Sequence, residues 1–258
     1  MLNDFSVIVR RFDSAIKIAC ISDVHFGALE HMEQEWKNFI QAVQNDPDLY
    51  LILGGDLINN NTRSSVGSPW DDTIRLREQK RQMAEFLAPV KDRILCCVSG
   101  NHERRSQKDA DDDPTYDIMS KLDLEDVYRQ NAAFLKLSLG QRGDQANVSY
   151  RFAVTHGAGG GIYTGATVNR NERWGNVIDG VDCVIVGHTH KGTVSKPSKL
   201  VFDPYNNKVT LKEYVVISCV AWQRYAEYPL QKMMLPAATG TPQILHLSDK
   251  DKNIEVRW

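Results

Sequence analysis

The sequence predicts a single α/β domain. Continuous apolar runs rich in β-branched residues alternate with stretches of helical period, and 258 residues suffice to bury a large core. The runs show no polar alternation, which is the pattern of strands covered on both faces. No internal repeat, low-complexity tract or linker divides the chain, so residues 1–258 are taken as one domain.

Ile16 to Ile21 reads as the first strand and stops at Ser22-Asp23. From Met32 to Val43, the residues Trp36, Phe39, Ile40 and Val43 recur at spacings of three and four, which marks one helix face. Leu49 to Leu53 is a buried strand ending in Gly54-Gly55-Asp56. A helical segment covers roughly Thr73 to Leu87. Ile94 to Val98 is a third strand and runs into Gly100-Asn101-His102.

The second half is richer in strands. Phe134 to Leu139 and Val148 to Val154 read as neighbours across the polar turn 140–147, and the latter ends at Thr155-His156-Gly157. Val181 to Val186 ends at Gly187-His188. Further strands fall at Leu200–Phe202, Lys208–Leu211, Tyr214–Ser218, Ile244–Leu247 and Ile254–Trp258. Asp203-Pro204-Tyr205-Asn206-Asn207 reads as a hairpin turn. Asn59 to Asp72, Arg104 to Pro114 and Gly157 to Asn171 read as loops.

Bulk composition excludes little. Charges nearly balance, 31 basic against 33 acidic, so no global field favours nucleic acid or an anionic membrane. No apolar stretch is long enough to cross a bilayer, and residues 1–5 lack the basic region and apolar core of a signal peptide. A cytoplasmic protein with no membrane partner is therefore expected. The five cysteines, Cys20, Cys96, Cys97, Cys183 and Cys219, are odd in number and lie in strand-like runs. They read as buried thiols in a reducing compartment, not a disulfide framework.

The chemistry lies where the strands end. Asp23-Val24-His25, Gly55-Asp56, Gly100-Asn101-His102-Glu103, His156-Gly157 and Gly187-His188-Thr189-His190 each follow an apolar run, and five of the seven histidines fall inside them. Asp, Asn and His suit divalent cations such as manganese, iron or zinc. Singly these motifs are weak: an Asp-X-His is usually a turn, and Asp56 alone would be a turn or a helix cap. Gly187-His188-X-His190 and Gly100-Asn101-His102 are the strongest. In α/β sheets ligands sit beyond the carboxyl ends of strands, so one common rim would gather all five. Two metals in such a site imply attack on a phosphate ester.

This set and order resemble the calcineurin-like metallophosphoesterase superfamily, whose pattern is Asp-X-His, Gly-Asp, Gly-Asn-His-Asp/Glu, His and Gly-His-X-His. The resemblance implies a double β-sandwich flanked by helices, a four-layer αββα arrangement. It implies that Asp23, His25 and His190 hold one divalent ion, that Asn101, His156 and His188 hold a second, and that Asp56 bridges them. Manganese is the expected metal, with iron or zinc as alternatives. A hydroxide shared by the ions would attack phosphorus, and His102, which is not a ligand, would stabilise or protonate the departing oxygen.

In the phosphoprotein phosphatase branch an Asp and an Arg stand where this chain has Asn59 and Asn60, and an Arg where it has Ser99, so that branch is not expected. An Asn at 59 raises the pKa of His102 less than an Asp would. Arg104 and Arg105 are candidate substrate contacts, with Asn59 beside them. The expected function is hydrolysis of phosphodiesters in nucleotides or nucleic acid. A phosphomonoesterase and a DNA-repair-type nuclease are the enzymatic alternatives. A non-catalytic scaffold of this fold would be expected to lack ligands, and none is lost here.

Less specific features have plainer readings. Arg75, Arg77, Lys80 and Arg81 read as a solvated helix face before a nucleic-acid surface. Trp222, Tyr225 and Tyr228 read as core aromatics before base-stacking platforms. Gly157 to Gly161 is equally a phosphate approach or a closing loop. Nothing in the sequence signals an oligomeric state.

Overall fold

The computed structural model describes residues 5–65, 67–68, 70–141, 147–225, 230 and 233–258. The first half runs β1 (Val7–Phe12), β2 (Ile16–Ile21), α1 (Glu33–Asn45), β3 (Leu49–Leu53), α2 (Leu76–Leu87), β4 (Ile94–Val98), α3 (Glu103–Ala110), α4 (Pro114–Ser120) and β5 (Tyr128–Arg129). The second half runs β6 (Ala132–Leu139), β7 (Val148–Thr155), α5 (Thr164–Val177), β8 (Cys183–Val186), β9 (Thr193–Ser195), β10 (Ser198–Asp203), β11 (Lys208–Glu213), β12 (Val215–Ser218), β13 (Ile244–Leu247) and β14 (Ile254–Arg257).

Two six-stranded mixed sheets result. One has the order β14-β13-β2-β3-β4-β5 and the other β1-β6-β7-β8-β12-β9; β10 and β11 form a separate hairpin. The central strands β2, β3 and β4 run parallel, as do β7, β8 and β12. Their carboxyl ends therefore open onto one rim, as parallel pairing requires.

The sheets pack face to face. Ile18, Leu51, Leu53 and Cys97 of the first sheet share one apolar core with Leu135, Leu137, Tyr150, Phe152 and Ile185 of the second. Trp36, Ile40 and Val43 of α1 and Met83 and Leu87 of α2 join that core. A smaller cluster of Ala153, Val184, Val186 and Val216 is covered by Trp174 and Ile178 at and just beyond the end of α5. The double β-sandwich flanked by helices expected from the resemblance is the architecture observed. Among the described residues no helix is long and apolar enough to cross a membrane.

Strands β2, β3, β4 and β13 keep the bounds read from sequence, because an uninterrupted apolar run has few ways to be buried. Two segments read as loops are helical. Arg104 to Pro114 contains α3, and the second half of Gly157 to Asn171 begins α5. Helix α3 is made largely of good helix formers but is so polar that it shows no apolar stripe, whereas α5 holds Gly165, Gly175 and several β-branched or Asn residues of poor propensity. Burial of Glu103 and Ser106 anchors α3, and burial of Thr167, Asn171 and Gly175 overrides the poor propensity of α5. Gly175 is needed for packing: a Cβ there would lie 2.4 Å from the Tyr214 ring. Short strands β1, β5 and β9 escaped notice because they are half-exposed or only a few residues long.

All five cysteines are free and buried, and burial raises their thiols above the ordinary range. On α2, Arg81 is solvated and pairs with Glu78 and Glu85, while Lys80 is partly buried and pairs with Asp112 and Asp117. Trp222 is fully buried, as expected, and meets the Trp36 ring edge-on at 5.2 Å; Tyr225, expected in the core, is instead exposed and donates its hydroxyl to Met234 O, and Tyr228 lies outside the described residues.

One buried carboxylate ties strands together. Asp182 accepts from the backbone N–H of Arg151 at 2.9 Å and from its Nε and Nη2 at 3.1 Å, and pairs with Lys252 at 2.9 Å. Burial opposes ionisation, but Arg151 and Lys252 outweigh it and hold the carboxyl below its usual range. A depressed folded-state pKa stabilises above the unfolded value, near pH 4, and loses that contribution as pH falls through the folded value. Asp182→Asn should cost about 2 kcal/mol at pH 7, a Tm loss of roughly 4–8 °C. The gap from wild type should narrow as thermal melts are repeated from pH 5 down to 3.

Candidate metal centre

The common rim gathers the motif residues. Loops after β2 and β3 are laced together by backbone bonds: Asp23 N donates to Gly55 O, His25 N to Asp56 O and Phe26 N to Leu57 O, each at 3.0 Å. The second sheet is joined through Asp23, whose Oδ2 accepts from His188 N at 2.9 Å and whose carbonyl accepts from Trp222 N at 2.9 Å. Asp23, His25, Asp56 and His156 are all buried to within 1 %.

The side chains form two adjoining groups. In one, His190 Nε2 lies 3.2 Å from Asp23 Oδ1 and 3.1 Å from His25 Nε2. In the other, Asn101 Oδ1 lies 2.9 Å from His156 Nε2 and 2.6 Å from His188 Nδ1. Asp56 sits between them, with Oδ2 3.1 Å from His156 Nε2 and 3.9 Å from both His25 Nε2 and His102 Nε2.

These contacts fit divalent cations. His156 donates its Nδ1–H to Gly54 O at 2.8 Å, so the Nε2 lone pair faces the oxygens of Asn101 and Asp56. Three electron-rich atoms converging near 3 Å repel one another unless positive charge, a metal ion or a proton on Nε2, lies among them. Donors bound at about 2.0–2.2 Å to one ion stand roughly that far apart. Asp23 Oδ1 and His25 Nδ1 are buried without a hydrogen-bond partner.

The electrostatics agree. Burial opposes ionisation of both carboxyls, yet neighbouring imidazoles hold Asp23 and Asp56 well below the ordinary range. Burial alone would lower His156, but Asp56 pushes it up to about 10, and His190 is raised because Asp23 outweighs its burial. A site that draws protons onto buried imidazoles this strongly draws any cation.

The backbone is strained where these side chains branch off. Asp23, His25, Asp56, His188 and His190 all have positive φ, between 48° and 70°. Such values are costly for residues with a Cβ and cluster at functional sites. Gly100 allows the closest approach, since a Cβ there would fall 2.0 Å from Asp56 Oδ1 and 2.3 Å from Asp56 N.

His102 and Arg105 flank this centre. His102 Nδ1 donates to the backbone carbonyl of Asn59 at 2.6 Å, and Arg105 Nη2 donates to Nε2 at 2.9 Å. Burial, with Arg105 and His25 adding, pushes His102 down to about 3 against the pull of Asp56, so the imidazole is neutral. Arg105 is the fixed positive charge beside it. Arg104 turns away and donates to the carbonyls of Ser99 and Gln130, while the Asn59 side chain bonds Asp72.

Glu103 was given no role in the sequence reading, although the Gly-Asn-His-Glu run contains it. Fully buried, it accepts from the N–H groups of Asp56, Ile58 and Gly100 at 3.0, 3.1 and 2.9 Å. It thus clamps the Asp56 turn against Gly100. Burial, then Asp56, raises its carboxyl to about 7. His31, missed for want of any motif, donates Nδ1–H to Val24 O at 2.8 Å and steadies the Asp23–His25 turn.

Fold and site together define a four-layer α/β protein with a buried Asp/His/Asn centre suited to divalent cations. The chain belongs to the calcineurin-like phosphoesterase family, whose model matches residues 16–192. It is 28% identical over 107 residues to the DNA polymerase II small subunit of Methanocaldococcus jannaschii, a match that takes in 36% of this chain and 18% of that protein. Among solved structures it is similar to a metallophosphoesterase from Sphaerobacter thermophilus (14% identity, TM-score 0.42, 90% of this chain and 84% of that one). It is also similar to the NAD nucleotidase of Haemophilus influenzae (9% identity, TM-score 0.42, 95% of this chain and 49% of that one).

Metal removal should be visible in stability. At a hundredfold excess over Kd a bound ion adds about 2.7 kcal/mol, so EDTA should lower the Tm by roughly 5–10 °C and manganese should restore it. Gly100→Ala should lose most of this metal-dependent shift in the same thermal melts, because its Cβ must displace the Asp56 turn.

Proposed function

We propose that the chain is a dinuclear metal-dependent phosphoesterase that hydrolyses phosphodiesters of nucleotides or nucleic acid. The observation that carries it is the position of Asp56 Oδ2 between an Asp23–His25–His190 group and an Asn101–His156–His188 group. That is the arrangement expected of one carboxylate shared by two cations. Asp23, His25 and His190 would hold one ion, Asn101, His156 and His188 the other, and Asp56 both. Manganese is the favoured metal, with iron or zinc as alternatives. Such ions supply a water nucleophile at neutral pH and neutralise phosphoryl oxygens.

The protein groups divide the remaining work. Asp23 and Asp56 stay ionised and draw the cations in. His190, 39 % exposed at its side chain, leaves one side of the centre open to substrate. Arg105 supplies a charge that does not depend on pH, placed to meet a phosphoryl or departing oxygen. Neutral His102 keeps its Nε2 toward the centre and orients Arg105. Leaving-group protonation by a charged His102 is thereby disfavoured, and charge stabilisation by the His102–Arg105 pair takes its place.

A relative whose name places it in a DNA polymerase weighs toward nucleic-acid phosphodiesters. A cytoplasmic location is proposed with it, since the free buried thiols suit a reducing compartment.

The test is a manganese panel of aryl phosphate mono- and diesters, cyclic nucleotides and single- and double-stranded DNA, alongside elemental analysis. Two ions per chain and turnover of diesters are expected; saturation well below two ions, or activity confined to monoesters, would count against this reading. Asp56→Asn should reduce kcat at least 10³-fold with manganese in excess, an effect of about 4 kcal/mol. Arg105→Ala should retain both ions and lose about 10²-fold in kcat, roughly the cost of removing one preorganised donor.

A further inference from the structure

We propose that Asp72 is the residue that positions the His102–Arg105 pair, acting from outside the metal centre through Asn59 and Asn61. This rests on the reading that the pair faces substrate. Asp72 lies in the segment read from sequence as a loop and belongs to no motif.

Its carboxylate gathers amide donors from three places. Oδ1 accepts from Asn59 Nδ2 and from Asn61 Nδ2, both at 2.7 Å. Oδ2 accepts from Gln79 Nε2 at 2.8 Å and from the Asn61 backbone N–H at 3.3 Å. Gln79 is fully buried; its Oε1 in turn accepts from Asn60 N at 3.0 Å, and its Nε2 also donates to Ile74 O. Segment 59–61 is thus held on one side by a single carboxylate and the glutamine bonded to it.

The other side of that segment faces the site. Asn59 O takes the His102 Nδ1–H at 2.6 Å, which fixes the ring and leaves Nε2 directed at Asp56. Asn61 Oδ1 accepts from Arg105 Nη1 at 3.2 Å, and Arg105 reaches His102 Nε2. Asn61 can present its oxygen to Arg105 only while its amide nitrogen is engaged, and Asp72 engages it. Asn60, with φ of 43°, closes the turn by donating Nδ2–H to His102 O at 2.6 Å.

A neutral side chain at 72 cannot accept all of these bonds. An asparagine there offers one oxygen, so two or more of the amides it faces lose a partner or must turn over. Turning over Asn61 would aim its NH2 at Arg105 and repel the guanidinium. Asp72 touches neither a metal ligand nor the proposed path of substrate, so it is a positioning residue.

The test combines spectroscopy with kinetics on the whole chain reconstituted with diamagnetic magnesium or zinc for NMR and with manganese for turnover. In wild type the His102 Nδ1–H should appear as a slowly exchanging downfield resonance, assigned by its loss in His102→Ala. Asp72→Asn should exchange that proton at least tenfold faster while retaining the metal content. If turnover is present, it should lower kcat about tenfold with KM within twofold, and should add nothing further in a background that carries both His102→Ala and Arg105→Ala. Should Asp72→Asn fail to fold, Asn59→Ala serves instead. It leaves the carbonyl that His102 uses, cuts the tie to Asp72, and should speed exchange in the same direction.

An unchanged Nδ1–H, or a kcat loss that persists in full when His102→Ala and Arg105→Ala are both present, would overturn the proposal. If wild type hydrolyses no phosphate ester yet Asp72→Asn frees the Nδ1–H, the positioning role stands and the phosphoesterase reading fails.

Discussion

Two carboxylates buried at the seam between two sheets set the terms for everything around them. Asp23 and Asp56 are almost wholly shielded from water and are nevertheless held ionised. Burying an unpaired carboxylate is prohibitive, so each must be surrounded by donors or cations. The protein meets that demand from both sheets: His188 N from beyond β8 serves Asp23, and His102 N from beyond β4 serves Asp56. His156 and His190 then become the places where positive charge accumulates. The sandwich and the site are therefore one problem, because the seam that joins the sheets is also where the charge lies.

Close approach of backbones follows from the same demand. For oxygens and imidazole nitrogens to converge within about 3 Å, the turns carrying them must nearly touch. Gly100 admits the Asp56 turn, and Gly187 admits Ser22, whose Oγ would lie 2.0 Å from a Cβ placed there. Five residues of the centre accept left-handed backbone to aim their side chains inward. Glu103 stabilises the most crowded of these turns by accepting three backbone N–H groups. Strain at the centre is offset by hydrogen bonds one layer out, and this is also the logic of Asp72 one layer beyond His102.

The apolar hairpin β10–β11 shows how little of the outer surface this constraint reaches. Leu200, Phe202, Val209 and Leu211 lie exposed on it, far in sequence from any motif but the last. On α2, Arg81 and Lys80 are likewise taken up by ion pairs. Chemistry is confined to the rim because only there do parallel strands release their loops side by side.

The sequence by itself determined the strands β2, β3 and β4, the α/β class and the motif residues. Uninterrupted apolar runs must be buried, and each one gives way within two residues to a Gly or Asp that breaks the strand. It also made the plain readings of the cysteines and of α2, since both depend on local composition. Tertiary structure decided what composition cannot express. Helix α3 has no apolar stripe and α5 has poor propensity, yet both form because their buried faces find partners. Arg104 and Arg105 are adjacent and chemically alike in sequence, yet one caps backbone carbonyls and the other lies against His102, because successive helix residues point about 100° apart. Glu103 and Asp72 gained their roles the same way. A carboxylate becomes a clamp only when distant segments place their N–H groups around it, and no spacing along the chain records that.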